Sequence, residues 1–206
     1  MSMPARNIIK EYGAEQYYHV YSRGVAKQTV FLDNDDYGYF LNLFRRYLSS
    51  KPENSKRHGP YPHFGNRLQL LAYCLMPNHV HMLIYQTDKT AMTELLRALM
   101  TSYSMYFNRK YDRVGPVFQS RYKASRITTP AYLEHISRYI HLNPSSWKDY
   151  PYSSLPYYLK QRSAEWVQPE PILSIFAGSK EYLRFAEDYE QQKQILDELK
   201  WELADT

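Results

Sequence analysis

One cysteine, Cys74, in 206 residues leaves no intramolecular disulfide framework and no CxxC or Cys/His finger spacing. Long apolar runs are also missing. The longest, Leu70 to Met76, falls far short of the ~20 residues that cross a bilayer. Residues 1–13 lack the apolar core of a secretion signal. Together these absences lead to the expectation of a soluble cytoplasmic protein with no membrane partner. Glycine is scarce, at seven, and no repeat or low-complexity tract interrupts the chain. The length suits one domain with appendages, or two small ones, and can bury a core without covalent staples.

What the chain has in excess is tyrosine, 22 of them, and positive charge in its first part. Residues 1–164 hold 22 basic and 11 acidic side chains, a surplus of 11; residues 165–206 hold 4 and 10, a deficit of 6. Cationic side chains displace counterions from phosphates, so a basic body suits a polyanion. Cations and rings are interleaved at Tyr18–Tyr21–Arg23, Phe44–Arg45–Arg46–Tyr47 and Phe118–Arg121–Tyr122–Lys123–Arg126. Rings on which bases stack, set among cations, suit single-stranded nucleic acid. An unevenly charged solvated surface is the plain alternative.

Hydrophobic periodicity orders the elements. Gln16 to Ser22 reads as a strand. Asp33 or Asn34 caps a helix carrying Phe40, Leu43, Phe44, Tyr47 and Leu48 at helical spacing, and residues 49–66 read as a polar loop. Leu68–Leu75 and His79–Tyr85 form a hairpin about Met76–Pro77–Asn78. A long helix follows from Thr90 or Thr93, then a strand over Val117–Ile127. A last core helix starts at Thr129–Pro130 and must stop near Asn143–Pro144. The order β-α-β-β-α-β plus a helix predicts an α+β, ferredoxin-like (RRM-like) fold with an antiparallel sheet and two helices on one face. The other face is left for a ligand or the extra helix. Residues 1–150 read as the core domain and 151–206 as a helical C-terminal appendage.

Two local signals carry chemistry. In His79-Val80-His81 both imidazoles leave one strand face, about 7 Å apart at Cα, with Val80, Met82 and Ile84 on the other. Two converging neutral imidazoles suit a divalent metal, although a strand HxH is more often packed or surface histidine. Tyr139 and Asn143, four residues apart, share a helical face. A phenol can be a nucleophile and an amide oxygen a ligand for Mg²⁺ or Mn²⁺. Core packing for Tyr139 and a helix-end role for Asn143 are the plain alternatives.

Met76-Pro77-Asn78-His79-Val80-His81-Met82-Leu83-Ile84 resembles the HUH strand of single-tyrosine transposases. Tyr139-Ile140-His141-Leu142-Asn143-Pro144 resembles the nucleophile helix of their REP-associated branch, akin to insertion-sequence transposases. Tyr18-His19-Val20 with Arg23-Gly24, and Gly115 to Tyr122, resemble other segments of that branch, so that the likeness covers about residues 15–150. It implies His79, His81 and Asn143 as ligands of Mg²⁺ or Mn²⁺ and Tyr139 as the nucleophile that forms a 5′-phosphotyrosine. It also implies as substrate a DNA hairpin of the repetitive extragenic palindromic kind with a single-stranded flank. Tyr21, Arg23, Arg121, Tyr122, Lys123 and Arg126 are the candidate DNA contacts, and Lys51, Lys56, Arg57 and His58 could grip a duplex stem. A monomer is slightly favoured over a homodimer, associated with the nucleoid when bound to DNA. Two alternatives remain open: an RRM-like module that binds without cutting, and an unrelated HxH metal hydrolase.

Overall fold

A computed structural model describes residues 12–55, 59–119 and 121–188. Lys56, Arg57 and His58 of the polar loop, and residues 189–206 of the acidic end, lie outside the described residues. In chain order the elements are β1 (Gln16–Arg23), α1 (Asn34–Leu48), a short pair β2 (Asn54–Ser55) and β3 (Gly59–Pro60), and β4 (Leu68–Met76). Next come β5 (His79–Gln86), α2 (Ala91–Lys110), β6 (Lys123–Ile127) and α3 (Pro130–His141). Three short helices complete the chain: α4 (Leu155–Tyr158), α5 (Glu170–Leu173) and α6 (Ser179–Glu187).

The main sheet has the order β4-β5-β1-β6, all antiparallel. Each helical crossover therefore joins parallel strands with an antiparallel strand between them, which is the expected split βαβ arrangement. On one face, Tyr18, Val20, Tyr73, Leu75, Val80, Met82 and Ile84 pack against Phe40, Leu43 and Phe44 of α1 and Leu95, Leu96 and Leu99 of α2. At the start of α1, Asp33 and Asp36 each accept from the other's backbone N–H, a capping box. Asp36 also takes the Lys110 ammonium from the end of α2, at 2.9 Å, so the two helices are tied together at their ends.

The second face is covered, not open. Leu133, Ile136, Tyr139 and Ile140 of α3 join Ala72, Cys74 and Leu83 of the sheet and Leu155, Tyr158, Ile172 and Tyr182 of the C-terminal segment in one core. That segment also covers the free edge of β4. Leu75 donates to the Tyr152 carbonyl, Ser154 to that of Tyr73, and Gln168 to that of Leu70. Paired in this way, the edge offers no template to another strand.

Two strands depart from simple alternation. β4 has a register shift between Leu70 and Ala72, which turns Leu71 to the α3 side and returns Tyr73 and Leu75 to the α1–α2 side. The predicted strand Val117–Ile127 is a strand only from Lys123. Phe118 bridges Gly24, and the ladder resumes with Lys123 opposite Tyr21. Five steps on one chain therefore face three on the other. The two surplus residues break the pairing, as in an extended bulge. No helix among the described residues is long and apolar enough to cross a membrane.

Candidate metal and nucleophile site

The hairpin turn Pro77–Asn78 sets the position of His79. Gly24 donates to the Asn78 carbonyl at 2.8 Å, and Val30 and Phe31 donate to that of Pro77. A Cβ on Gly24 would meet the Gln28 carbonyl oxygen at 2.2 Å, so this approach needs glycine. The Asn78 side-chain amide donates to the Lys27 carbonyl, 3.2 Å, which turns its oxygen toward His79. His79 Nδ1 donates to that oxygen at 2.6 Å. The Nε2 lone pair of His79 is then directed at the Asn143 Oδ1, 3.1 Å away. His81, 1% exposed, directs its own Nε2 at the same amide, 3.4 Å from Nδ2.

Tyr139 comes from α3. Thr129 caps this helix by accepting from Tyr132 N–H, with Pro130 in the first turn. The helix ends at His141, so Asn143 stands in the bend past its end and not on the expected helical face, because Pro144 disfavours helix at the residue before it. The bend still delivers the amide to the two histidines. The Tyr139 ring meets His81 edge-on, centroids 5.3 Å apart, and is 6% exposed. Tyr132, the neighbouring tyrosine on α3, sits half-buried against the second core, one turn after the cap.

Residues opposite each other in an antiparallel pair share a face. Tyr21 lies opposite both His81 and Lys123, and Arg23 opposite His79, so all three candidate contacts share the histidine face. The Arg23 guanidinium carbon stands 5.3 Å from the centre of the Tyr21 ring, and no salt bridge to Arg23 occurs among the described residues. The other candidates are elsewhere. Arg126 pairs with Tyr18 on the α1–α2 side and donates to Gln16; Tyr122 packs there too, bonded to Thr93 at 3.0 Å. Both lie an odd number of residues from Lys123, so strand alternation alone puts them on the face opposite to it and to Tyr21. Arg121 is exposed, just before β6.

Burial governs the electrostatics. It lowers His79 to about 4, with Arg23 adding to the effect and the Asn143 oxygen, which would accept from the protonated ring, opposing it. His81 is pushed well down by burial, then by its histidine neighbours and Arg23. Both imidazoles are neutral at pH 7, the form that ligates metals. Burial raises the Tyr139 phenol to about 12, further helped by Tyr21, while Asn143 and Arg23 pull it back. No group of three His, Cys, Asp or Glu side chains is placed to hold a metal among the described residues. The donor set is two imidazoles and an amide. It fits a divalent ion, because the His79 Nε2 and Asn143 Oδ1 lone pairs face each other with no proton available to bridge them.

The motifs gave no role to Asn78 or to His19. His19 is buried, with Nε2 3.0 Å from His81 Nδ1. Its signal is period-two placement with Tyr21 on β1, readable only once β1 is known to lie beside β5.

Residues 65–143 match the family model described as transposase, IS200 like. That stretch is similar to IS200-like transposases. It contains the His79–His81 strand, Tyr139 and Asn143, and so agrees with the resemblance seen in the motifs. Among solved structures, a REP-associated tyrosine transposase bound to a REP hairpin is similar in fold, at TM-score 0.54 and 14% identity, over 80% of this chain and 92% of that one. A transposase candidate from Deinococcus radiodurans R1 aligns at TM-score 0.40 and 16% identity over 68% and 95% of the two chains. No curated protein matches the chain.

Proposed function

We propose that this transposase-like chain cuts and rejoins single-stranded DNA beside a hairpin, with Tyr139 as nucleophile and a divalent ion, Mg²⁺ or Mn²⁺, held by His79, His81 and Asn143. The observation that carries the reading is the meeting of two neutral imidazoles and one amide directly beside a phenol on the covered face of the sheet. A bound ion would supply positive charge to the scissile phosphate. The residues do the rest. The Tyr139 oxygen forms a bond to phosphorus as the bond from phosphorus to the 3′-oxygen breaks. The phenol proton passes to water, and the departing 3′-oxygen takes one from water. The product is a 5′-phosphotyrosine, which keeps the phosphodiester energy so that a 3′-OH can reverse the step. Arg23, on the same face as His79, would attract the phosphate and favour the phenolate. Tyr21 and Lys123 extend this surface toward β6, a ring and a cation for the flank.

Labelled hairpin DNA with a single-stranded flank tests the reading. Cleavage should require Mn²⁺ or Mg²⁺, stop with EDTA, and vanish in the His79→Ala/His81→Ala double variant while hairpin binding persists. Undiminished cutting by that variant overturns the metal assignment. Binding without cutting by the wild-type protein would favour an RRM-like binding module.

A further inference from the structure

His19 and His81 lie nearly parallel, with ring centroids 5.2 Å apart and planes 13° from each other. Only 3.0 Å separates His19 Nε2 from His81 Nδ1, and each residue is 1% exposed. No carboxylate bonds to either ring among the described residues. One proton must therefore sit between the two nitrogens. If it belongs to His19, then His81 carries its own proton on Nε2 and cannot offer a lone pair there. If it belongs to His81, the lone pair on Nε2 faces Asn143.

We propose that His19 is a positioning residue whose Nε2 accepts the Nδ1 proton of His81, and so commits His81 Nε2 to donate its electron pair to the site. The proposal rests on the metal reading above. A further observation supports it. His79 has the same arrangement by other means: Asn78 takes its Nδ1 proton and frees its Nε2. Each histidine of the pair thus has a side-chain acceptor behind it and its second nitrogen turned to Asn143, the usual way in which an outer partner orients a ligand. The proposed tautomer leaves the proton of His19 on Nδ1, which is buried with no hydrogen-bond partner, a cost that native interiors seldom carry.

The tautomer can be read without metal. In full-length protein labelled with ¹⁵N-histidine, His81 should show Nδ1–H and an unprotonated Nε2; Nε2–H in the wild type overturns the proposal. Mn²⁺ titration followed by electron paramagnetic resonance then compares three forms with matching circular dichroism. His19→Phe keeps a ring but no acceptor and should bind Mn²⁺ about 10–100-fold more weakly. His19→Gln restores an acceptor and should recover most of that loss. Wild-type affinity in His19→Phe, or a Gln variant as weak as Phe, also overturns it. A wild-type protein that takes up no Mn²⁺ defeats the metal reading, while the tautomer still decides the His19 contact. Should His19→Phe fail to fold, the tautomer and the Gln variant settle the matter.

Discussion

Tyr139 is a weak nucleophile as the fold leaves it. Its phenol is held near 12 by burial, so only a minute fraction is phenolate at pH 7. The charge of Arg23 lowers Tyr139, and it also acts on His79 and His81. Single-turnover cleavage should therefore rise with pH between 7 and 9, as the phenolate fraction does. Arg23→Gln should slow that step by about 100-fold, since it removes a charge that favours both the phenolate and the phosphate. Hairpin affinity should fall much less, because one cation among many contributes little to total binding. Rapid-quench cleavage and filter binding at two pH values separate the effects; an Arg23→Gln variant cutting at the wild-type rate would remove Arg23 from the chemistry.

Among the elements, α3 matters most, and the C-terminal segment is what holds it on the sheet. Arg138, fully buried, donates to the Phe185 and Asp188 carbonyls at 3.1 and 3.4 Å, with its guanidinium 4.2 Å from the centre of the Phe185 ring. It therefore satisfies carbonyls at the C-terminal end of α6. His141 bonds through one nitrogen to the Tyr182 hydroxyl and through the other to Ser154, each at 2.6 Å. The residues on both sides of Tyr139 are thus gripped from the same segment. Arg138→Met should keep the volume, leave the α6 carbonyls bare and destabilise the protein by about 2 kcal/mol. Urea unfolding measures this; an unchanged midpoint would show that the grip is unimportant.

The sequence revealed these elements unevenly. Local pattern sufficed for β1, α1, the β4–β5 hairpin and α3, because apolar spacing, Asp33 and Thr129 as caps, and Pro77 and Pro144 all act within one segment. The shift at Leu70–Ala72 and the break between Phe118 and Lys123 were hidden, since each is a mismatch between two strands and neither strand records it alone. The same cause separates the site residues. His79 and His81 share a face within one strand and could be paired on sight. His19 becomes their neighbour only once β1 is known to lie beside β5, whereas Asn78 is adjacent in the chain and Tyr122 and Arg126 are turned from Lys123 by alternation alone.

At the scale of the whole molecule, one chain supplies every group of the site, so a monomer suffices for the proposed chemistry. Burying so many histidines has a cost that pH exposes. His141 and His19 are lowered to about 3 and His79 to about 4, all chiefly by burial. Between those values and the ordinary 6.5 the unfolded chain binds more protons than the native one, so stability rises with pH through that window. Each fully buried imidazole is worth about 2 kcal/mol between pH 5 and pH 7 by this linkage. The urea midpoint should therefore climb from pH 5 to pH 7, and less steeply in His141→Gln; equal slopes would mean that His141 is not buried neutral. The central claim, that Tyr139 carries DNA covalently, has a more direct test. Wild-type, Tyr139→Phe and Tyr132→Phe proteins are each incubated with labelled hairpin DNA and Mn²⁺, denatured, and assayed for a protein–DNA species that survives. The wild-type and Tyr132→Phe proteins should form it, and Tyr139→Phe should not, while folding and binding the hairpin normally. An adduct that persists in Tyr139→Phe, or is lost only in Tyr132→Phe, contradicts the account.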